Sequence, residues 1–117
     1  MINPKTPRLA AVLVLIGEVL VTVIVRYIHP GGGDTIEATL RSFAASKYWV
    51  GIHLAQFFGM ATLLAGVLVL FETVKVSAGA ARWLGFLGSV ATLLALSLAG
   101  MVFAVDGVAN KSAAEHG

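Results

Sequence analysis

Cysteine is absent from the 117-residue chain. Its absence excludes disulfides, thiolate chemistry, cysteine-based zinc sites, iron–sulfur ligation and cysteine-attached haem. Charge is scarce too. Asp, Glu, Lys and Arg make up 12% of the residues, against about 25% in a soluble domain. A chain this short has too much surface to hide such a shortfall in a buried core, and a bilayer as solvent accounts for it. The formal net charge is +2 and no basic run occurs, so nothing here has the basic-plus-aromatic character that nucleic acid binding needs.

Hydrophobic residues, by contrast, make up 58%. They concentrate at 9–25, 48–71 and 83–105. A helix needs about 20 apolar residues to cross the hydrocarbon core. The sequence predicts an all-α integral membrane protein with three transmembrane helices running up, down and up, plus a short amphipathic interfacial helix. A polar N-terminal tail occupies 1–8, where Pro4 and Pro7 discourage helix. The first span covers 9–28 and stops at His29-Pro30-Gly31-Gly32-Gly33, a strong breaker. The valine-rich run inside it favours strand by propensity, but a lone strand cannot satisfy its backbone in lipid, so helix is expected. Lys5 and Arg8 ahead of an apolar run suggest a signal peptide. The run is longer than a usual apolar region and ends in Arg26-Tyr27-Ile28 rather than a small-x-small site, so an uncleaved span is expected.

Residues 29–34 form a glycine-rich turn. Asp34 and Glu37 have the spacing of a capping box with Asp34 as the cap. Behind them Ile36, Leu40, Phe43 and Ala44 recur at helical spacing, so 35–46 is expected to lie on the membrane surface. The second span is placed at 47–71, a short loop at 72–82, the third span at 83–105 and a polar tail at 106–117. Tyr27, Tyr48 and Trp49 on one side, and Trp83 on the other, are expected as interface anchors. The basic residues divide evenly. Lys5, Arg8, Lys75 and Arg82 flank one side; Arg26, Arg41, Lys47 and Lys111 flank the other. First-span flanks usually dominate, so the N-terminus is assigned to the cytoplasm.

Two stripes of small residues suit close helix packing. Gly51, Ala55, Gly59, Thr62 and Gly66 share one face of span two. Gly85, Gly88, Ser89, Thr92, Ala95 and Ala99 share one face of span three. His53, Gln56 and Met60 occupy the opposite face of span two, which makes that span central. Three helices cannot easily bury both stripes and a polar face, so a homo-oligomer or other membrane subunits are expected as partners beside the lipid bilayer.

Glu18 sits near the middle of span one, where an ionised carboxylate costs at least about 2.5–3.5 kcal/mol. Thr22 follows one turn on, and Arg26 lies about 12 Å along the axis, too far for an assured pair. Glu18, Thr22, His53 and Gln56 are therefore expected to form an intramembrane polar cluster. It is read as an interhelical hydrogen-bond network, a proton or ion site, or a contact to a bound ligand. No cofactor is predicted; a lone intramembrane His53 also suits axial ligation of haem or a pigment. His29 is expected as a turn residue at the interface, and Asp106 as the headgroup end of span three. The histidines lack the spacing of a zinc site, the glycine run lacks the Lys-Ser/Thr of a phosphate loop, and no His–Asp pair is placed to activate a serine. No catalytic residue is assigned and catalysis is not expected.

His29-Pro30, Phe43, Trp49, His53, Gln56 and the segment Ala104-Val105-Asp106-Gly107-Val108-Ala109 resemble a group of uncharacterised bacterial multi-pass membrane proteins. The resemblance implies a helical membrane protein and assigns no activity. Members of that group continue past this segment with further helices, which makes three spans a count for these 117 residues. The expected function is a small structural or accessory membrane subunit acting through helix–helix contacts. The alternatives are a subunit of a bioenergetic complex holding a pigment, haem, quinone or lipid near His53 and Glu18, and a proton- or ion-conducting oligomer using Glu18.

Overall fold

In the computed structural model, which describes residues 5–116, all regular structure is helical. The elements are α1 (Lys5–Val23), α2 (Ile36–Ala45), α3 (Trp49–Lys75), α4 (Ala80–Val102) and α5 (Asn110–His116). Two wide π-helical segments, Ile24–Ile28 and Phe103–Ala109, prolong α1 and join α4 to α5. Three helical runs are long and apolar enough to cross a membrane: Lys5–Ile28, Trp49–Lys75 and Ala80–His116.

Several expected boundaries move. The described part of the N-terminal tail is already helical from Lys5, with Pro7 in the first turn, where a missing N–H costs no intrahelical bond; Pro4 lies outside the described residues. The connection between spans two and three shrinks to residues 76–79. Gly79 there has φ +64, a backbone region that glycine enters without steric penalty. The segment expected as a polar C-terminal tail is helical through His116. The cap of α2 shifts by one residue from the expected Asp34. Thr35 has the extended conformation and accepts from the Ala38 amide at 3.1 Å, while Glu37 pairs with Arg41 at 2.6 Å. Asp34 and Thr35 are both good caps. The Thr39 side chain holds the turn behind Thr35, accepting from the Gly33 amide and donating to its carbonyl at 3.0 and 3.2 Å.

α3 is central, with α1 on one side and α4 on the other. Its small stripe meets α1. A Cβ added to Gly66 would lie 2.7 Å from the Ala10 carbonyl oxygen, and one on Gly59 would lie 3.0 Å from Val21. Gly17 of α1, outside both expected stripes, sits against the backbone of Gly59 and Leu63. The stripe of α4 meets α3: Gly85 lies against Lys75 and Gly88 against the Phe71 ring. Ser89 donates to Glu72 at 2.9 Å, while the Thr62 and Thr92 hydroxyls turn back to carbonyls of their own helices at 2.8 Å. Ala95 and Ala99 are half-buried, whereas Gly51 and Ala55 are exposed. Much of each stripe is thus covered within the chain. The two stripes pack on different neighbours, that of α3 on α1 and that of α4 on α3.

α2 has no buried residue and packs on α5. The Lys111 ammonium donates to the carbonyls of Phe43, Ala44 and Ser46 at 2.9, 2.6 and 2.9 Å. A cation at a helix C-terminus satisfies orphan carbonyls and the negative end of the dipole together.

Candidate polar junction at one membrane face

The up-down-up order brings the end of α1, the start of α3 and the end of α4 to the same face. Trp49, in the first turn of α3, is 1% exposed. Its ring is buried rather than turned outward as an anchor would be, whereas Tyr27, Tyr48 and Trp83 are exposed. Its indole N–H donates to the Asp106 carbonyl at 3.0 Å, and its ring packs on those of His29, Phe43 and His53 at centroid distances of 5.2, 4.1 and 4.4 Å.

One turn further, His53 is 5% exposed. Its Nδ1 lies 2.9 Å from the Trp49 carbonyl oxygen, so that nitrogen carries the proton and donates. Its Nε2 lies 3.2 Å from Asp106 Oδ2 and 3.3 Å from His29 Nε2. His29 Nδ1 lies 2.9 Å from the Pro30 carbonyl oxygen, which assigns the donor on that ring in the same way. Asn110 donates to the other Asp106 oxygen at 3.1 Å. Gly107 makes room for this meeting: a Cβ there would lie 2.7 Å from the His53 Cβ.

Two carbonyls fix both Nδ1 atoms as donors. Neutral rings and an ionised Asp106 would then set lone pairs of His29 Nε2, His53 Nε2 and Asp106 Oδ2 against one another. A proton on His53 Nε2 faces both Asp106 Oδ2 and His29 Nε2, whereas one on His29 or Asp106 satisfies a single contact; in each case the three side chains together carry no net charge. Both wide turns serve this geometry. His29 closes the first, its amide donating to Ile24 at 2.8 Å, and Asp106 lies within the second. Such turns insert a residue into a helix and are common at functional sites.

The cluster expected from the sequence is divided. Glu18 lies 11 residues before His29, about 16 Å deeper along a helix, and does not reach His53. Its partner is Thr22, which donates at 3.1 Å, and its side chain is exposed on the outside of α1. Gln56 stays near His53: the two line a cleft of about 210 Å³ between α3 and α4 with Phe57, Met60, Phe103 and Asp106. His29 and Asp106, expected as a turn residue and a headgroup anchor, instead join His53. Both ring nitrogens of His53 are engaged, so axial ligation of haem or a pigment would displace His29 and Asp106. Among the described residues no group of three His, Cys, Asp or Glu side chains is placed to hold a metal ion.

Comparison of the chain with protein-family models, with curated proteins and with solved structures finds no match.

Proposed function

We propose that the chain is a small accessory membrane subunit whose working site is a proton-binding junction formed by His29, His53 and Asp106. The observation that carries this reading is the convergence of Asp106 Oδ2 with the Nε2 atoms of two histidines whose tautomers are set by backbone carbonyls. Charged groups on the surrounding elements are engaged elsewhere or exposed. Lys111 serves α2 and Glu115, Glu37 and Arg41 pair with each other, Arg26 lines a separate surface depression beside Tyr27, and Asp34 and Lys47 lie exposed on the connections. The Asp106-Gly107 pair is also the centre of the segment that resembles bacterial multi-pass membrane proteins. With Lys5 and Arg8 in the cytoplasm of a bacterial inner membrane, the junction opens to the outer face. The reading assigns no catalysis.

The ring nitrogens of the isotope-labelled protein in micelles test it. A through-hydrogen-bond coupling between the Nε2 nitrogens of His29 and His53 should be seen in the parent and should change in Asp106→Asn. Two rings with no such coupling, and with nitrogen signals unaffected by Asp106→Asn, would exclude a shared proton.

A second reading rests on Glu18, exposed on a membrane-facing side with Thr22 as its hydrogen-bond partner. A carboxyl group in hydrocarbon is costly unless protein covers it. We infer a helix–helix contact there with a second copy or another membrane subunit. Glu18→Leu should reduce self-association in mild detergent, read as particle mass by light scattering. The same mass for variant and parent would remove the second-copy version.

A further inference from the structure

The opposite membrane face carries a depression of about 450 Å³ lined by Lys75, Arg82, Trp83 and Phe86. It lies where the last turn of α3 meets the first turn of α4. The two rings meet edge to face with centroids 6.2 Å apart, and the Lys75 ammonium stands 6.0 Å above the Phe86 ring. Lys75 is steadied by Glu72 at 2.8 Å, and Ser89 donates to that same carboxylate at 2.9 Å. Arg82 is exposed and forms no ion pair with an acid among the described residues. Counting Glu72, the group still carries one net positive charge. Trp83 is 68% exposed, at the depth where amphipathic rings meet lipid headgroups.

We infer that this depression is a binding site for the headgroup of an anionic phospholipid. Arg82 offers a planar fork of donors to the phosphate, and Lys75 supplies a second cation from the neighbouring helix. Trp83 and Phe86 line the same hollow with apolar surface, against which the glycerol and first acyl carbons can lie. A free anion would use the two cations and leave that apolar wall wet, so the lining favours a phosphate attached to acyl chains. Basic pockets between membrane helices recognise such headgroups. The site is separate from the proton-binding junction and does not depend on it.

Trp83 supplies the probe. The full chain is reconstituted in bilayers containing brominated phosphatidylglycerol or brominated phosphatidylcholine, and quenching of tryptophan fluorescence is compared. Trp83→Phe gives the background from Trp49. Phosphatidylglycerol should associate more tightly by about fivefold for each cation engaged. Arg82→Gln should cut that preference about fivefold, while Arg8→Gln, which removes the same charge from the same face outside the depression, should leave it intact. Equal falls in both variants would mean diffuse surface charge and overturn the site. Equal quenching by both lipids in the parent would overturn it as well. Displacement of the brominated anionic lipid by inorganic phosphate would show recognition of the bare phosphate and overturn the lipid assignment.

Discussion

Trp49→Ala should destabilise the protein by about 3–5 kcal/mol, the range for removing a large buried aromatic side chain. Trp49 is the largest fully buried side chain among the described residues. It is held by a hydrogen bond from its indole to the Asp106 carbonyl, and it is the surface on which three other rings rest. Its loss opens a cavity at the point where α1, α3 and the segment after α4 meet. Trp49→Phe keeps most of the ring contact and removes the hydrogen bond. That variant should cost about 0.5–1.5 kcal/mol, the net worth of a neutral hydrogen bond. Reversible unfolding in mixed micelles measures both. Similar small losses for the two would mean that the ring platform contributes little.

Gly17→Val should be the most disruptive single change between α1 and α3, at about 2–3 kcal/mol or more. A side chain there meets the carbonyl of Gly59 and the backbone of Leu63, and backbone cannot rotate aside as a side chain can. The helices must separate or slide. Gly51→Val supplies the comparison. Gly51 also lies on α3 in the expected packing stripe, but nothing stands within 4 Å of an added Cβ, so the change should fall within about 0.5 kcal/mol of the parent. Equal costs at both positions would mean that helix propensity, rather than close approach, sets the penalty.

The three spans were legible because apolar length is a one-dimensional property. The surface helix was legible because caps and helical periodicity are local, although Asp34 and Thr35 compete for the same role and neighbouring residues alone do not decide between them. The junction was less legible. His53 and Asp106 are 53 residues apart, and no spacing rule links them. Depth arithmetic does. His29 ends span one, His53 begins span two and Asp106 ends span three, so an up-down-up path brings all three to one face. Glu18 lies about 16 Å too deep to join them. Gly17 and Gly107 were missed because each stands outside a repeating stripe and matters only through the backbone or side chain opposite. The wide turns have no sequence signature; in hindsight the one marker beside them is that a histidine follows one and an aspartate sits in the other.

The third helical run extends without interruption from Ala80 to His116, 37 residues in all. A bilayer core is crossed by about 20. The remaining turns stand beyond the hydrocarbon as a continuation of the span, and through Lys111 they grip the end of α2. The membrane-embedded and surface parts are therefore joined by a stiff rod. A tilt of α4 should carry α2 with it through the Lys111 contacts.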